Sequence, residues 1–358
     1  MKVGILGDGL ASLALAKTLV NDGIFVDLIY NKNVRAINKN RTIGITKTNI
    51  EFFDKKILNI SKQSFEINKI EIGLEKFDNK SILNFDNNKK NLFSIIKNYK
   101  LYKLLNDSLI KSKLFKRKKI LLNEYGISKE YQIIINCDSS SLLTKKIFNK
   151  KIKKNYKSIA YTTIINHKKI LQNKIAYQIF TKYGPIAYLP ISQFETSIVY
   201  SIKKKDNLSE SDIFNLIKKY NPKYHIKSIE KIESFELFSS NLRTYYHKNI
   251  LAFGDLLHRI HPLAGQGFNM TIRDIKILKQ IINNRISLGL EIDSSVCSEF
   301  EKKLKHKNFL FSSGIDFIYE LFNLEKRLKN DKIGKAIQMF GKNKSLINIF
   351  TKLADNGI

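Results

Sequence analysis

The sequence predicts an α/β fold in which a Rossmann-like dinucleotide-binding domain carries an inserted, mostly antiparallel β-sheet domain. Three observations predict this fold: a strand–turn–helix–strand pattern at the N-terminus, short β-branched and aromatic segments at 157–203, and a second strand–loop–helix unit at 247–282. The 358 residues suffice for two domains, or for one large α/β domain with an insert. A hydrophobic content of 43% indicates a folded globule rather than a disordered chain.

The N-terminal segment predicts a nucleotide site. KVGIL at 2–6 has the composition of a buried strand, the segment 10–23 has helical spacing, and IFVDLIY at 24–30 predicts a second strand. Gly7 and Gly9 occupy the first two positions of a dinucleotide fingerprint. Gly7 permits the tight turn, and Gly9 lets a pyrophosphate approach the positive end of the helix.

The same segment departs from the fingerprint at two places. Ser12 replaces the third glycine, which is a small change because serine is small. Tyr30 and Asn31 stand where an acidic ribose ligand is expected, and strand alternation predicts that Asp27 faces the opposite side. A glycine turn without a nucleotide is therefore the alternative interpretation of this segment alone.

The middle of the chain predicts a change of architecture. EYQIIINCDSSS at 130–141 predicts another parallel strand, whereas 157–203 predicts several short antiparallel strands. Pro185 and Pro190 bracket IAYL, which favours an edge or lining strand over a central one. The segment 208–220 begins with a Ser-x-x-Asp cap and predicts a helix.

A second candidate ligand site follows the strand predicted at 247–255. Asp255 lies at the carboxyl end of that strand, where open α/β sheets bind ligands. FNMTIRDIKILKQII at 268–282 predicts a helix, so Gly265 and Gly267 lie just before a helix N-terminus. The free N–H groups there would stabilise a developing negative charge.

The histidines of this loop allow other interpretations. His258 and His261 could bind a metal with Asp255, but no further Cys, Asp or Glu stands nearby to complete the ligand shell. A Ser/His/Asp triad would need a nucleophile elbow, which the sequence lacks. A purely structural loop is the third alternative, and no metal is predicted.

The formal net charge of +31 bears on the class of partner. Basic residues are scattered over segments such as 31–41, 111–119 and 144–157, and a joint excess of Lys, Asn and Ile is what AT-rich codons produce. We interpret the charge chiefly as compositional bias, with an anionic membrane surface as the alternative. No nucleic-acid partner is predicted, because zinc-ligand sets, RNP-like motifs and helix-turn-helix signals are missing from the sequence.

The cysteines and the hydropathy bear on the compartment. Cys137 and Cys297 cannot build a disulfide framework and have no metal-ligand spacing, which favours a reducing compartment. No apolar run approaches the roughly 18 residues that cross a bilayer. Asp8 interrupts the apolar N-terminus, so a βα unit explains it better than a signal peptide does. We expect a cytoplasmic protein, with peripheral association at the inner membrane as a further possibility.

The spacing GD-x-x-H-x-x-HP-x-AGQG-x-N-x-x-x-RD at 254–274 resembles the second flavin motif of the FAD-dependent aromatic hydroxylases, in particular their ubiquinone-biosynthesis (UbiH/UbiF-like) branch. RTIGIT at 41–46 and GPIAYLPISQFETSIVYS at 184–201 resemble two further segments of that family, in the same order along the chain. The resemblance implies the fold of the aromatic-hydroxylase flavoproteins.

The resemblance also implies a set of FAD contacts along the pyrophosphate, the ribityl chain and the isoalloxazine ring. These are Gly7, Gly9 and Ser12 at the pyrophosphate; Arg41 along the cofactor; Gly254 and Asp255 at the ribityl chain; and Pro262, Gly265, Gln266, Gly267 and Asn269 around the ring.

The activity implied by the resemblance is hydroxylation of a polyprenylated phenol in ubiquinone biosynthesis. It would use O₂ through a flavin hydroperoxide, with NAD(P)H or another reductant as electron donor. No general base stands out, and His258 and Tyr188 are the polar candidates. Other ubiquinone-biosynthesis proteins and an anionic membrane are implied partners. The alternatives are a flavin hydroxylase or reductase for another aromatic or prenyl substrate, and a degenerate, non-catalytic flavoprotein subunit.

The resemblance divides the chain into parts. Residues 1–156 form the first part of the FAD-binding domain, with residues within 65–90 as candidates for the substrate sheet. Residues 157–245 form the substrate sheet, 246–297 the second part of the FAD-binding domain, and 298–358 a helical C-terminal region.

Two further departures from the family concern the middle of the chain. Asp138 and Ser139 replace the family's Asp-Gly, and Leu142 and Lys145 stand at its downstream Ser and Arg positions. Only about a dozen residues follow KRKK at 116–119 before the next strand, where relatives have several strands. These changes put the strength of FAD binding and any nicotinamide route in question.

Overall fold

The computed structural model describes residues 2–30, 39–75, 81–86, 91–119, 130–261, 265–328 and 355. The strands are β1 (Lys2–Leu6), β2 (Phe25–Tyr30), β3 (Thr42–Thr46), β4 (Phe65–Ile67), β5 (Lys69–Leu74), β6 (Ser81–Asp86), β7 (Phe93–Lys97), β8 (Phe115–Lys119), β9 (Ile133–Asn136), β10 (Lys151–His167), β11 (Ile175–Phe180), β12 (Pro185–Pro190), β13 (Glu195–Lys203), β14 (Ile226–Ile229), β15 (Glu233–Leu242), β16 (Tyr246–His247), β17 (Ile250–Ala252) and β18 (His258–Arg259). The helices are α1 (Leu10–Asn21), α2 (Lys47–Lys56), α3 (Asn98–Ile110), α4 (Leu142–Ile147), α5 (Glu210–Lys219), α6 (Gly267–Ser287) and α7 (Ser294–Leu328).

The first sheet is the predicted nucleotide-binding sheet. Its strand order is β16-β17-β9-β1-β2-β8, and its strands are parallel except for β16. Val3 pairs with Val26 of β2 on one side and with Ile133 of β9 on the other. The chain thus leaves β1 in one direction and returns on its other side, which creates a switch point at the carboxyl end of β1. The predicted βαβ opening and the predicted parallel strand near 133 are confirmed.

The second sheet is the predicted antiparallel sheet. Its order is β18-β15-β10-β13-β12-β11-β5-β6, and β14 also pairs with β10. β10 is continuous over 17 residues and therefore extends on both sides of residue 157. Strands β5 and β6 lie in this sheet, and β5 is parallel to β11. A third, three-stranded sheet has the order β3-β7-β4.

The expectation that IAYL forms an edge or lining strand is wrong. β12 is a central strand, paired with β11 on one side and β13 on the other. Pro185 and Pro190 are its first and last residues, where a missing N–H costs little ladder hydrogen bonding. The prolines therefore mark the ends of the strand and not its place in the sheet.

Different elements pack on the two faces of the second sheet. On one face Tyr188, Ile198 and Tyr200 pack against Ile213 and Ile217 of α5. This helix begins with the predicted capping box, in which the Ser209 and Asp212 side chains bond reciprocally to the backbone, and that prediction is confirmed.

The opposite face of the second sheet is covered by the third sheet and by α7. Thr42 of β3 donates a hydrogen bond to Ser197 of β13 at 2.9 Å. Ala160, which pairs with Ser201 on the same face, packs with Tyr319 of α7. The third sheet and α7 therefore lie on the same side, and the α5 face is separate from both.

The last two helices described, α6 and α7, are long, and the helical spacing of the sequence predicted both. α6 contributes Ile272, Ile275 and Leu278 to the main core, all 0% exposed. α7 runs for 35 residues and packs on α6, on β16 and β17 of the first sheet and, through Tyr319, on the second sheet. Among the described residues, no helix combines the length and apolar character needed to cross a membrane.

Candidate functional site

Three carboxyl strand ends of the first sheet meet at one edge. Gly7 follows β1 with φ 111°, and Gly254 follows β17 with φ 61°. A Cβ at Gly7 would lie 3.2 Å from the Asp138 backbone N, and a Cβ at Gly254 would lie 2.7 Å from the Ala11 Cβ. Both positions require glycine, because a side chain would meet backbone or a rigid methyl in a conformation that L-residues rarely adopt.

The N-terminus of α1 opens onto this edge. Its N-cap is Gly9, no side chain caps the helix, and a Cβ at Gly9 would meet nothing within 4 Å. The first-turn N–H groups therefore have no side-chain cap beside an open position, and uncapped N–H groups at a helix N-terminus bind phosphate oxygens. Ser12 is 0% exposed and lies beside Cys137. Burial raises the pKa of the Cys137 thiol to about 12, so this cysteine is a packing group and not a nucleophile.

The N-terminus of α6 opens in the same way. Its N-cap is Gln266, no side chain caps the helix, and a Cβ at Gly267 would meet nothing within 4 Å. Gln266 is 4% exposed, yet its side-chain oxygen has no hydrogen-bond partner among the described residues. A buried polar atom without a partner beside open helix N–H groups fits a site that a polar ligand edge completes.

Asn269 fixes the loop against the third sheet. Its side-chain oxygen accepts hydrogen bonds from the Thr46 backbone N–H at 2.9 Å and from Asn49 at 3.0 Å. Its side-chain nitrogen donates to the Gly44 carbonyl at 2.9 Å and to the Gly265 carbonyl at 3.3 Å. The amide is saturated by the protein, so Asn269 positions the backbone of the cradle rather than contacting a ligand itself.

Asp255 and two arginines carry the charge at the rim of the site. Asp255 is exposed in a 3₁₀ turn directly after β17. The Arg41 guanidinium lies 4.7 Å from the Phe235 ring centroid, and that of Arg259 lies 3.9 Å from the Phe238 ring centroid. Burial lowers the pKa of Arg259, and Arg41 lowers it further while Asp255 raises it, so the three charges interact. Arg259 was not predicted as a site residue from the sequence. The available signal was its position next to His258, because neighbouring residues of a strand point to opposite faces of the sheet.

Of the two catalytic candidates, Tyr188 lies away from the cradle. It is 0% exposed on the α5 face of the second sheet, and its hydroxyl donates a hydrogen bond to the Ile217 carbonyl at 2.6 Å. Burial raises its pKa well above the ordinary value. Tyr188 is therefore a packing residue, because strand alternation turns it away from the side that α7 and the third sheet cover.

His258 is also committed to the core. It is 2% exposed, and its Nε2 lies 2.5 Å from an Asp274 carboxylate oxygen that belongs to α6. Asn308 of α7 donates to the other oxygen of Asp274 at 3.2 Å. His258 therefore ties β18 to both helices, and this pairing argues against its sharing a metal with Asp255.

His261 packs between two tyrosines at the start of the glycine loop. Its ring centroid lies 4.7 Å from that of Tyr156 and 4.3 Å from that of Tyr319. Burial lowers the pKa of His261 to about 3, with a smaller lowering from Lys154. The imidazole is therefore neutral, and it joins the loop to β10 and α7. Pro262, which follows it, lies outside the described residues.

The first glycine turn contains a carboxylate whose partner the sequence analysis missed. Asp8 stands between Gly7 and Gly9, and it accepts hydrogen bonds from Arg117 at 3.2 Å and from the Tyr102 hydroxyl at 3.0 Å. Without Arg117, a negative charge would face any pyrophosphate at the α1 N-terminus. Arg117 lies 109 positions along the chain on β8, so local spacing could not have linked the two.

The end of β2 is where the dinucleotide fingerprint expects an acidic ribose ligand. Tyr30 is half-buried at the end of β2, and Asn31 lies outside the described residues. Asp27 pairs with Lys2 at 2.9 Å and with Lys118 at 2.8 Å. Burial alone would raise the pKa of Asp27, but hydrogen bonds from these lysines and from Tyr131 lower it. Its carboxylate is therefore fully engaged with partners inside the protein.

The departure from the family pattern at Asp138 and Ser139 forms a local turn. Asp138 accepts hydrogen bonds from the Ser140 N–H at 2.8 Å and from its hydroxyl at 2.7 Å. Leu142 and Lys145 are exposed on the short helix α4. The Asp138 carboxylate is therefore engaged within its own turn.

Comparisons with known proteins agree with this geometry, although no protein-family model matches the chain. The sequence is 24% identical over 234 residues to the mitochondrial ubiquinone biosynthesis monooxygenase COQ6 of Danio rerio, covering 54% of this chain and 48% of the relative. It is 29% identical over 155 residues to the 3-demethoxyubiquinol 3-hydroxylase of Escherichia coli K12, covering 41% and 39%. The chain is thus similar in sequence to monooxygenases named for ubiquinone biosynthesis. The matched segments span about half, or less, of the length of these curated relatives.

Solved structures place the fold among the aromatic hydroxylases over the whole chain. The p-nitrophenol 4-monooxygenase PnpA from Pseudomonas putida DLL-E4 matches with a TM-score of 0.79 at 12% identity, covering 99% of this chain and 98% of that one. HpxO from Klebsiella pneumoniae, complexed with FAD and uric acid, matches with a TM-score of 0.76 at 12% identity, covering 100% and 97%. The predicted aromatic-hydroxylase fold is confirmed.

Proposed function

We propose that the protein is an FAD-dependent monooxygenase that hydroxylates the ring of a polyprenylated phenol in ubiquinone biosynthesis. The observation that carries the proposal is the pair of uncapped helix N-termini, α1 and α6, each with a glycine at which a Cβ would meet nothing within 4 Å. Two such helix ends suit a ligand that is anionic at its phosphates and again at its reduced ring. The relatives named for ubiquinone biosynthesis support the substrate class.

The residues fit FAD in two halves. The α1 N–H groups beyond Gly9 would bind the pyrophosphate, and Asp255 would accept hydrogen bonds from the ribityl hydroxyls. The α6 N–H groups beyond Gly267 would stabilise negative charge on the pyrimidine ring, with Gln266 adjacent. When bound and reduced, FAD supplies the activation of O₂ for transfer of one oxygen atom to an electron-rich ring.

A substrate surface is available on the second sheet. Gln178, Ala187 and Val199 pair across β11, β12 and β13, and all three are half-buried. They face the side that the third sheet and α7 cover, since their neighbours Tyr188 and Ile198 face α5. Small and apolar groups with one amide suit a phenol ring that carries a hydrocarbon chain.

The protein's part in the reaction is to position the ring and to exclude water. Asn269 holds the loop backbone in place, and neutral His261 seals the loop against Tyr319. Of the two candidates for a general base, Tyr188 lies on the α5 face and His258 pairs with Asp274, so the chain would orient an electron-rich phenol rather than deprotonate it through either of them. The electron donor is proposed as NAD(P)H or another reductant.

Quinone profiling of a deletion strain tests the pathway assignment. We expect an under-hydroxylated polyprenylphenol to accumulate, and the wild-type gene to restore the normal profile. A variant that blocks the cradle, Gly267→Trp, should not restore it, whereas Leu171→Trp should, because Leu171 is 74% exposed in the turn between β10 and β11. A normal profile in the deletion strain would contradict the ubiquinone assignment.

Association with an anionic membrane is part of the proposal, because the substrate is apolar and the net charge is +31. The proposed location is therefore cytoplasmic with peripheral contact to the inner membrane.

A further inference from the structure

The outward face of α7 exposes three large apolar side chains within about two helical turns. Phe309, Leu310 and Phe317 are 46%, 54% and 68% exposed. At about 100° per residue they fall on one side of the helix, opposite the buried Phe311 and Ile315. Single exposed apolar residues are ordinary, but a cluster on one helix face marks an interaction site. We call these three residues the apolar patch of α7.

The turns that precede the apolar patch are basic. Lys302, His306 and Lys307 are exposed on the same side. Lys303 pairs with Glu299 at 2.9 Å and Lys305 with Glu301 at 2.7 Å, whereas Lys302 and Lys307 have no ion-pair partner among the described residues.

The exposed side chains in the described middle of α7 are basic, apolar or small. The exposed residues of α7 between 302 and 317 are Lys302, Lys303, His306, Lys307, Phe309, Leu310, Ser313, Gly314 and Phe317. None of these exposed residues is acidic, and the neighbouring carboxylates of Asp316 and Glu320 pair with Lys154 at 3.9 and 3.1 Å. Lys302 and Lys307 therefore stand beside a compact apolar area without an ion-pair partner among the described residues.

The inward face of α7 lies against the candidate site. Phe311 and Ile315 pack with Ile260 and Met270, which flank the glycine loop in sequence. One turn further on, Tyr319 packs against His261 at the start of that loop. A single helix thus separates the apolar patch from the cradle.

We propose that the outward face of α7 docks on an anionic lipid bilayer. The apolar patch enters the interfacial region, and Lys302 and Lys307 contact headgroup phosphates. A helix with one apolar-and-basic face and no membrane-spanning length lies in the plane of the interface. A second copy of the chain is a poorer occupant, because it would present a like-charged face to this one.

This inference deepens the proposed membrane association, and it gives that association a reason. A polyprenylated substrate resides in the bilayer, so docking through α7 would bring the wall of the cradle to the substrate's own phase. The docking itself needs neither bound flavin nor turnover, so it can be measured separately from the proposed activity.

Tryptophan fluorescence offers a direct test, because the chain contains no tryptophan. Phe317→Trp would introduce a single reporter in the apolar patch. Phe25→Trp is the matched control, since Phe25 is 51% exposed at the amino end of β2, opposite the carboxyl edge that forms the cradle. With vesicles of phosphatidylcholine and phosphatidylglycerol, we expect a blue shift and quenching by bromolipid for Phe317→Trp alone. Equal responses from both reporters, or no response from Phe317→Trp, would overturn the proposal.

Vesicle flotation of the full chain separates specific docking from general adsorption of a basic protein. We expect Phe309→Ser/Phe317→Ser and Lys302→Gln/Lys307→Gln each to lower binding to anionic vesicles about tenfold, and pure phosphatidylcholine to bind weakly. Lys111→Gln/Lys113→Gln is the charge-matched control; both lysines are exposed near the start of β8, beside β2. Retention of thermal stability would show that the variants fold.

Two further outcomes would contradict the docking proposal, and a third would separate it from the proposed activity. If the control pair lowers flotation as much as Lys302→Gln/Lys307→Gln, binding is general charge attraction and the proposal fails. If the serine variants float normally but convert a dimer to a monomer in sedimentation, the patch is a self-interface and the proposal also fails. If the protein docks as expected but binds no FAD, the proposed activity fails and the docking proposal stands.

Discussion

The two glycine turns of the cradle serve neighbouring helix N-termini but are held in shape by different means. The turn before α1 is fixed by backbone crowding, since a Cβ at Gly7 would lie 3.2 Å from the Asp138 backbone N. The turn before α6 is held by one side chain, because Asn269 bonds to the Gly44 and Gly265 carbonyls and to the Thr46 N–H. The first turn should therefore be sensitive to added atoms, and the second to removed ones.

Removing the Asn269 amide should have the largest effect. Asn269→Leu would leave the Thr46 N–H and the Gly44 carbonyl unpaired in a site that is 1% exposed, at a cost of about 3 kcal/mol in unfolding free energy. FAD affinity should fall with it, because the loop loses its position. Urea denaturation and FAD titration would measure both, with Asn49→Ala, which removes only the bonds that Asn49 donates to Asn269, as the milder control.

Adding a methyl group should distinguish the glycines of the first turn. Gly7→Ala should cost about 2 kcal/mol of stability, because φ is 111° and the Cβ meets backbone. Gly9→Ala should leave stability within about 0.5 kcal/mol, since its Cβ meets nothing within 4 Å, but it should weaken FAD binding. Equal loss of stability in both variants would contradict the difference drawn between them.

Arg117 should matter to cofactor binding through Asp8. Arg117→Met would leave the Asp8 carboxylate without its cationic partner beside the pyrophosphate, so FAD should bind about tenfold more weakly. The double variant Asp8→Asn/Arg117→Met should recover most of that affinity, because the negative charge is gone. If the double variant binds as weakly as Arg117→Met, charge compensation is not the role of Arg117.

The smallest effect concerns His261 and pH. Its pKa is lowered to about 3 in the folded protein, so the unfolded chain takes up a proton near the ordinary histidine pKa and the folded protein does not. Stability from this group is present above about pH 6.5 and is lost as the pH falls towards 3. Between pH 6 and 5, wild type should lose about 1 kcal/mol more unfolding free energy than His261→Phe. Parallel pH profiles in urea denaturation would contradict this.

Sequence patterns predicted the parts of the fold that depend on local spacing. The strand–turn–helix of residues 2–21 and the Ser209–Asp212 capping box both depend on residues within a few positions of each other. The placement of β12 was wrong, because Pro185 limits its own N–H and says nothing about which strands lie on either side.

The site was predictable only where the backbone itself forms it. Gly7, Gly254 and Gly267 stand at positions where a side chain would collide or fill the cradle. Arg117 could not be predicted, because its contact with Asp8 joins positions that are 109 residues apart. The face on which Tyr188 lies could not be predicted for a related reason: the strand pattern gives two faces, and only the tertiary fold says which one α5 covers.

The central claim, that both helix N-termini hold one FAD, is tested most directly by FAD titration of two matched variants. In each of Gly267→Trp and Gly314→Trp the first side-chain carbon has room, because a Cβ at either glycine meets nothing within 4 Å, but only Gly267 lies at the cradle. We predict that wild type and Gly314→Trp bind FAD with a shifted flavin spectrum. Gly267→Trp should keep its stability but bind FAD at least about tenfold more weakly, because its side chain blocks the ligand site. Equal FAD binding by both variants, or a wild-type protein that takes up no FAD, would contradict the claim.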